Sequence, residues 1–355
     1  MAVRVRKEAD VMRVMRIVAV AAALAMAGCG GESSAPKPQA AAVGPIKVGL
    51  LLDSLENERW RHDRDLFVAR VEELHAKVDV LDGGGDHAKQ LAAARQLLDG
   101  GVKVLVVVPH DLDKAKEIVA LAAERKVPVI SYDRLIRDAD VALYVSFDNV
   151  KVGRMQAEAL LGAAPRGNYV LLGGSPTDNN AKLVREGQLE VLKPAIASGE
   201  VKVIAEPWVL NWDTALARQE MAAALKKTRS IAAVVASNDA MATGAAEALA
   251  AAKLSGKVAL SGQDADLAAC QRIVAGTQTM TVYKPLKALA RMAAGSAVTL
   301  ARGEPVESLV KINNGLKDIP VRLLEPIAVD KGNIDATVIG DGYQKRDAVY
   351  PPKTD

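Results

Sequence analysis

The sequence predicts an α/β protein of two lobes, each a doubly wound parallel sheet with helices on both faces. Three observations support this class. Short, almost wholly apolar runs alternate with amphipathic segments rich in Ala, Leu, Lys and Glu, as in parallel strands buried on both faces. The apolar runs fall into two groups of five. A chain of 355 residues is also long enough for two domains.

The predicted strands follow one another with a helix-forming segment between most of them. In the first group the clearest helices are 88–98 and 114–124. The first five strands are expected at 46–52, 77–81, 102–108, 127–132 and 142–146. The second five are expected at 169–172, 201–205, 232–236, 258–261 and 277–282.

The N-terminal segment has the pattern of an export signal. Two arginines precede the apolar run 17–25, and small residues lead into Cys29. This run is too short to cross a bilayer, which needs about 20 apolar residues. Residues 1–29 resemble a bacterial lipoprotein signal in which Cys29 is lipidated, with an ordinary cleaved signal as the alternative. Residues 30–45, rich in Gly, Ser, Ala and Pro, would form a flexible tether.

The charge distribution argues against a nucleic-acid surface. The net charge is +3, from 46 basic and 43 acidic side chains. Residues 1–29 hold five basic and two acidic side chains, so the remainder carries 41 of each. The two signs are interspersed along the chain, whereas a protein that binds phosphate backbones needs a basic stripe or patch.

Polar side chains concentrate where the predicted strands end. In open α/β sheets, ligands bind outside the carboxyl ends of the strands. If the corresponding edges of the two lobes face each other, the cleft between them is the site. This rule brings together Arg59, Trp60, Arg134, Asn180, Asn238 and Asp264.

These groups form hydrogen bonds but include no paired acid, base or nucleophile. The four histidines are scattered, and no His/Cys set has zinc spacing. The Gly-rich run 82–86 lacks the Lys-Ser/Thr of a phosphate loop, and the first strand is not followed by G-x-G-x-x-G. The sequence therefore predicts a binding protein, not an enzyme, with no metal and no cofactor.

The three tryptophans suggest what kind of ligand is bound. Trp60, Trp208 and Trp212 stand among Arg, Asn and Asp near strand ends, in a chain with only two Phe. An indole packs on the C–H face of a sugar ring while neighbouring polar groups bind its hydroxyls. Tryptophans that cap the core at strand ends are the alternative interpretation.

The charged residues at the strand ends balance in number. An anionic ligand would need an excess of Arg. A neutral polyol suits paired charges that each bridge two neighbouring hydroxyls. The set comprises Arg59, Arg134 and Lys284 against Asp133, Asp239 and Asp264.

Seven short blocks carry a resemblance that covers residues 46–342. The blocks are 58–60 (ERW), 131–134 (SYDR), 146–149 (SFDN), 173–182 (GGSPTDNNAK), 236–239 (ASND), 261–266 (SGQDAD) and 276–285 (GTQTMTVYKP). In them the chain resembles the ribose/galactose-type solute-binding proteins of sugar ABC transporters. The resemblance implies a periplasmic binding protein type I fold, in which two lobes close on one sugar.

The resemblance also implies a three-segment hinge, with crossings expected near 147–150, 283–285 and 312–316. The N-terminal lobe would comprise 46–147 and 285–311. The C-terminal lobe would comprise 148–284 and 312–345, followed by a tail at 346–355.

Residue by residue, the resemblance implies a set of sugar ligands. Trp212, with Trp60 opposite, would stack on the ring, and Asp133 belongs to the paired charges around it. Phe147 is a further candidate for the pocket wall, whereas Trp208 is expected to be structural. The expected hydroxyl ligands are Arg59, Arg134, Asn180, Asn238, Asp264 and Lys284.

The expected partners follow from the same resemblance. D-xylose or a related monosaccharide would be captured and delivered to an ABC permease with its separate ATPase. The protein would be a periplasmic monomer held at the membrane through Cys29, and it would bind no nucleic acid. A sensor that presents the sugar to a membrane receptor is the alternative. A sugar-responsive DNA-binding regulator is disfavoured by the export signal.

Overall fold

The computed structural model describes residues 46–306, 308 and 310–351. The predicted signal at 1–29 with Cys29, the predicted tether at 30–45 and residues 352–355 lie outside the described part of the chain. None of the described helices is both long enough and apolar enough to cross a membrane.

Strands and helices alternate along the described chain, as the sequence predicted. The strands are β1 (Lys47–Leu52), β2 (Lys77–Asp82), β3 (Val104–Val107), β4 (Val129–Tyr132), β5 (Leu143–Phe147), β6 (Gly167–Leu172), β7 (Val201–Ala205), β8 (Ala233–Ala236), β9 (Ala259–Leu260), β10 (Thr281–Tyr283), β11 (Lys311–Asn313), β12 (Asp318–Leu324) and β13 (Ile327–Val329). The α-helices are α1 (Glu58–Glu73), α2 (His87–Asp99), α3 (Lys116–Glu124), α4 (Asn149–Ala163), α5 (Asn179–Ala197), α6 (Thr214–Lys227), α7 (Asp239–Ala251), α8 (Leu267–Ala275), α9 (Leu286–Ala301) and α10 (Arg346–Val349).

The first sheet has the strand order β11-β12-β5-β4-β3-β1-β2 and is parallel except for β11. Its strands are apolar on both faces because each face is covered by helices. In β1, Val48, Leu50 and Leu52 belong to the core under α1 and α9, whereas Leu51 belongs to the core under α2 and α3. This period of two is the expected geometry of a strand, and it confirms the predicted two-sided burial.

One predicted lobe boundary is wrong. Residues 312–316 were expected to cross into the C-terminal lobe, but β11 and β12 form a hairpin within the first sheet. β12 pairs in parallel with β5, from Val321 opposite Tyr144 to Leu324 opposite Phe147. The chain leaves the first sheet only after β12. The sequence signal was weak because β12 alternates exposed and buried residues and contains Pro320.

The second sheet is parallel and has the order β7-β6-β8-β9. Helices again cover both of its faces, α6 and α7 on one side and α4 and α5 on the other. β10 pairs with β13 in a separate antiparallel ribbon. The described chain thus has two doubly wound units, and it passes between them after β5, after β10 and after β12.

Two glycines let α4 and α5 meet backbone to backbone. A Cβ on Gly153 would lie 2.0 Å from the carbonyl oxygen of Val184, and one on Gly187 would lie 1.9 Å from that of Val150. Only glycine permits this approach. The contact holds α5, whose second residue is Asn180, against α4.

The predicted tail at 346–355 is partly structured. α10 packs against α8, where Val349 is fully buried and Gln271 Nε2 donates to the carbonyl oxygen of Ala348 at 2.8 Å. Val349 therefore packs α10 against the rest of the protein, which the polar composition of this segment did not predict.

Candidate ligand-binding site

A small cavity lies between the carboxyl ends of the strands of the two sheets. The residues around it come from both lobes and are polar or aromatic. They are Asn57, Arg59, Trp60, Asp133, Arg134, Asp178, Asn180, Trp212, Asn238, Gln263, Asp264 and Lys284.

Arg59, in the first turn of α1, is the centre of the charge network in this cavity. Its Nε lies 3.1 Å from Asp63 Oδ2, one helical turn further along. Its Nη2 donates to Asp133 Oδ1 at the end of β4, and its Nη1 lies 3.6 Å from Asp264 Oδ1 in the second lobe. Only 5% of Arg59 is exposed, so these carboxylates compensate a cation that burial would otherwise destabilise.

The two carboxylates beside Arg59 respond differently to burial. Burial works to raise the pKa of Asp133, but the positive charges of Arg59 and Lys284 outweigh it and lower that pKa below its ordinary value. Burial raises the pKa of Asp63 despite the opposing charge of Arg59 and a hydrogen bond from Tyr132. Asp133 is therefore the carboxylate that stays charged at the cavity wall.

Arg134 forms a second network nearer the cleft mouth. Its Nη1 lies 2.5 Å from Asp53 Oδ2 at the end of β1, and its Nε lies 2.8 Å from Asp178 Oδ2 in the second lobe. His110 Nδ1 lies 2.7 Å from Asp53 Oδ1, and this hydrogen bond raises the pKa of His110. The guanidinium of Arg134 also lies 5.3 Å from the ring centroid of Trp60.

Trp60 and Trp212 contribute indoles from opposite lobes. Arg59 lies 4.4 Å from the ring centroid of Trp60, whose exposed fraction is 4%. Trp212 Nε1 donates to Asp178 Oδ2 at 3.2 Å. A Cβ on Gly174 would lie 2.3 Å from the Trp212 ring, so this glycine provides the space that the indole occupies.

The second lobe supplies amides, one carboxylate and one ammonium group. Asn180 Nδ2 donates across the cleft to the carbonyl oxygen of Asp133 at 3.0 Å. Asn238 Oδ1 caps α7 by accepting from the backbone of Met241 at 3.0 Å, which leaves the Asn238 amide NH₂ as its free donor. Lys284 Nζ lies 3.1 Å from Asp264 Oδ1 and 4.0 Å from Asp133 Oδ1.

Three of the cavity residues have left-handed backbone conformations. The φ angles are 60° at Asp133, 58° at Trp212 and 99° at Asp264. For residues other than glycine these values cost about 1–3 kcal/mol each and persist where the surrounding structure holds them. The backbone N–H of Asp264 is fixed by the carbonyl oxygen of Val282 at 2.8 Å. The strain therefore aims two polar side chains and one indole into the cavity.

Nine of the ten predicted site residues line this cavity, and Phe147 does not. Phe147 ends β5 and has an exposed fraction of 1% within the core of the first lobe, where Lys284 Nζ lies 5.8 Å from its ring centroid. Trp208 is 42% exposed and packs beside Arg185, whose guanidinium lies 5.0 Å from its ring centroid. Trp208 is not among the lining residues.

The sequence analysis missed three of the lining residues. Asp178 caps α5 and lies two residues before Asn180, so its position in the strand-end run was an available signal. Gln263 stands directly before Asp264, and its enclosed Oε1 accepts no hydrogen bond from the described residues. Asn57 precedes α1 and carries no comparable signal in the sequence.

The arrangement is suited to binding a polyol. A sugar hydroxyl donates one hydrogen bond and accepts others, so it fits between an acceptor such as Asp264 and a donor such as Lys284. The described residues contain no group of three or more His, Cys, Asp or Glu side chains that could hold a metal ion.

Known proteins resemble this chain over most of its length. It is 50% identical to a D-xylose-binding periplasmic protein of Haemophilus influenzae, with 86% of this chain and 92% of that protein covered. It is 51% identical to the D-xylose-binding periplasmic protein of Escherichia coli, with 84% and 91% covered. Identity to the multiple sugar-binding periplasmic receptor ChvE of Rhizobium radiobacter is 31%, with 84% and 91% covered.

A solved structure agrees with the fold. The carbohydrate transporter solute-binding protein from Chloroflexus aurantiacus, in complex with D-glucose, superposes with a TM-score of 0.79. It is 32% identical, and the match covers 86% of this chain and 98% of that one. The family model described as "Periplasmic binding protein domain" matches residues 48–305. The chain therefore belongs to the periplasmic binding protein family, whose members are solute-binding proteins and not enzymes.

Proposed function

We propose that this protein captures D-xylose in the cavity between its lobes and delivers it to the membrane permease of an ABC importer. The observation that carries the proposal is a cavity of mutually paired charges with one indole from each lobe. The relatives named as D-xylose-binding periplasmic proteins support this choice of sugar, since they match about half of the aligned residues.

In this proposal the sugar ring lies against Trp212, with Trp60 on its other side. Its hydroxyls bind Asp133 and Arg134 in the first lobe and Asn238 and Asp264 in the second. Arg59, Asn180 and Lys284 complete the set, and Gln263 adds an acceptor that has no hydrogen-bond partner among the described residues. Because the ligands come from both lobes, a bound sugar favours the closed arrangement.

The proposal is tested by tryptophan fluorescence during titration with D-xylose, D-ribose, L-arabinose, D-glucose and D-galactose. D-xylose is expected to change the emission at the lowest concentration and with one-to-one stoichiometry. The matched variants Trp212→Phe and Trp208→Phe separate the site from the rest of the protein: the change should disappear or shrink in the first and persist in the second. No response to any of the five sugars would overturn the proposal.

A sensor that presents the sugar to a membrane receptor is the second candidate. It is favoured by the relative that is named a multiple sugar-binding periplasmic receptor. The two functions differ in their consequence for uptake. Deletion of the gene should abolish uptake of labelled D-xylose if the protein serves an importer, and should leave uptake intact if it serves only as a sensor.

We further propose that Cys29 carries a lipid and that the protein acts as a periplasmic monomer at the membrane. The proposal rests on the small residues before Cys29 and on the Gly/Ser/Pro-rich stretch after it. Cys29→Ser should move the protein from the membrane fraction to the soluble periplasmic fraction. Membrane association that is unchanged in Cys29→Ser would refute the anchor without affecting the sugar site. Light scattering that gives a dimer mass would refute the monomer.

A further inference from the structure

A buried glutamine in the first lobe joins the ends of two neighbouring strands. Gln90, on α2, donates from Nε2 to the carbonyl oxygen of Leu52 at 3.0 Å and to that of Val108 at 2.8 Å. Leu52 is the last residue of β1, and Val108 directly follows β3, the neighbour of β1 in the sheet. Gln90 is fully buried. One amide group therefore ties two strand ends together at the edge of the sheet that faces the cavity.

A second glutamine makes the same kind of contact in the other lobe. Gln156, on α4, donates from Nε2 to the carbonyl oxygen of Ser237 at 3.1 Å and to that of Gly262 at 3.0 Å. Ser237 directly follows β8, and Gly262 follows β9, which pairs with β8. Gln156 is also fully buried. Both sheets thus have one buried amide that bridges two strand ends beside the cavity.

The other contacts of the two glutamines determine which way their amide groups point. Gln90 Oε1 accepts from the backbone N–H of His110 at 3.0 Å, and this N–H is a donor only. Gln156 Oε1 accepts from Gln188 Nε2 at 2.8 Å. Gln188 Oε1 in turn accepts from Arg185 Nε at 3.2 Å, and a guanidinium is also a donor only. In both lobes the NH₂ group therefore faces the two carbonyl oxygens.

The carbonyl groups that Gln156 holds lie next to cavity residues in the chain. Asn238 directly follows Ser237, and Asp264 comes two residues after Gly262; both line the cavity. A carbonyl group lies in the same rigid peptide plane as the nitrogen of the next residue, so holding the carbonyl also holds the start of that residue. Gln156 thus sets the separation of the two segments that carry Asn238 and Asp264.

In the first lobe the effect reaches the cavity through Arg134. The residues that directly follow the two carbonyl groups held by Gln90 are Asp53 and Pro109, and both bind this guanidinium. Arg134 Nη1 lies 2.5 Å from Asp53 Oδ2, and it donates to the carbonyl oxygen of Pro109 at 3.1 Å. Arg134 is buried and lines the cavity. Gln90 therefore holds in place the two groups that orient Arg134.

The chemistry of the amide group explains why glutamine suits this position. Its NH₂ group has two donors, so one uncharged side chain serves two carbonyl groups. Glutamate at pH 7 would place acceptors against acceptors. Methionine has a similar length but no donor, so each of the two carbonyl groups would lose a hydrogen bond inside the protein.

We propose that Gln90 and Gln156 are positioning residues for ligand binding. Each fixes the separation of two neighbouring strand ends, and with it the side chains that bind the ligand: Arg134 in the first lobe, and Asn238 and Asp264 in the second. Neither glutamine is among the residues that line the cavity, so they act through these side chains. This role rests on the proposed function, because it requires that the sugar bind the same three side chains.

Calorimetric titration of Gln90→Met and Gln156→Met with D-xylose tests this role. The titrations are made at a temperature at which circular dichroism shows each variant to be fully folded, so that a loss of stability alone leaves Kd unchanged. In each variant Kd should rise about tenfold, because the strand ends are no longer held at a fixed separation.

Tyr169→Phe is the matched control in the second lobe. Tyr169 is buried in β6, and its hydroxyl lies 3.1 Å from the carbonyl oxygen of Leu160 and 2.7 Å from that of Ala164. This substitution also removes hydrogen bonds to two carbonyl groups, but at the end of the sheet away from the cavity. It should lower the free energy of unfolding and change Kd by less than about twofold.

A double-mutant cycle distinguishes positioning from general loosening of the lobe. If Gln156 acts through Asn238, the effect of Gln156→Met on Kd should shrink from about tenfold to about threefold when Asn238 is already replaced by Ala. The same substitution combined with Arg134→Met, which alters the opposite lobe, should keep its full effect.

The possible results are distinguishable. Wild-type Kd in both folded methionine variants would overturn the positioning role and leave the proposed function intact. A loss of affinity in Tyr169→Phe equal to that in Gln156→Met would also overturn it. If both methionine variants fail to fold, Gln188→Met decides the question: it frees the Gln156 amide to turn, so Kd should rise, and an unchanged Kd would overturn the role. Absence of D-xylose binding by the unsubstituted protein would overturn both proposals.

Discussion

The two walls of the cavity hold their side chains in different ways. In the first lobe, Arg59 is bound by Asp63 and Asp133, and Arg134 by Asp53, all within the same lobe. In the second lobe, the cavity side chains are aimed by backbone conformation, as at Trp212 and Asp264 with φ of 58° and 99°. Ion pairs within the lobe predominate in the first wall, where Asp133 alone has a φ of 60°, and left-handed backbone conformations predominate in the second, where Lys284 pairs with Asp264. Substitutions in the first wall should therefore act mainly on stability, and those in the second mainly on affinity.

The largest effect is expected for Arg59→Met. It leaves Asp63 and Asp133 buried without the cation that compensates them. Removing one partner of a buried ion pair costs about 3–5 kcal/mol, so the free energy of unfolding in urea should fall by about that amount. Arg64→Met in the same helix is the control, since within the described part of the chain Arg64 pairs only with its neighbour Asp65 at the surface. A loss of less than about 1 kcal/mol in Arg59→Met would contradict the ion-pair account of this wall.

Trp212→Ala should weaken ligand binding about 30-fold, equivalent to about 2 kcal/mol, because it removes the apolar face on which the sugar packs. Trp208→Ala should change Kd by less than about twofold, since Trp208 is 42% exposed and lies outside the cavity. Calorimetric titration of both variants measures the difference. Equal changes in Kd for the two variants would contradict the claim that Trp212 lines the ligand site and Trp208 does not.

Gly174→Ala should also weaken ligand binding, although it leaves the indole of Trp212 in place. The added methyl group would lie 2.3 Å from Trp212, so the ring must shift. We expect Kd to rise about tenfold, because overpacking of this size costs about 1–3 kcal/mol. Gly162→Ala on α4, where a Cβ meets nothing within 4 Å, should leave Kd unchanged and raise the melting temperature slightly. Wild-type affinity in Gly174→Ala would show that the position of Trp212 is not decisive.

The smallest effect is expected for His110, which pairs with Asp53 near the mouth of the cleft, and it concerns the pH dependence of stability. The hydrogen bond to Asp53 raises the pKa of His110, with burial opposing. This contribution to stability is complete below the unfolded pKa of about 6.5 and is lost as pH rises through the folded pKa. His110→Asn should therefore flatten the pH dependence of the unfolding free energy between about pH 6 and 8, by less than about 1 kcal/mol for this partly exposed pair. If the unfolding free energies of the wild type and of His110→Asn change equally with pH, the pairing of His110 with Asp53 is contradicted.

Most of the fold and of the site could be predicted because each depends on a local pattern. Short apolar runs indicated the parallel strands, and the rule that ligands bind at strand ends indicated residues such as Arg134 and Asp264. The third passage between lobes was predicted too early, near 312–316, because β12 alternates in polarity like a strand with one exposed face. Its place beside β5 depends on pairing between distant segments, which no local pattern encodes.

The errors within the site have equally physical causes. Phe147 ends a strand, but the alternation of side chains turns it into the core. Asp178 lies in the block 173–182 but was not predicted as a site residue, yet its carboxylate accepts from Trp212 and pairs with Arg134 across the cleft. Such contacts depend on how the lobes meet, and the sequence of either lobe alone does not contain that information.

The crystal structure of this protein with D-xylose would test the central claim most directly. The account predicts one sugar ring between Trp60 and Trp212, with hydroxyls bound to Asp264 and Lys284 from the second lobe and to Arg59 from the first. A sugar bound elsewhere, or one held in this cavity without contact to either indole, would contradict the account.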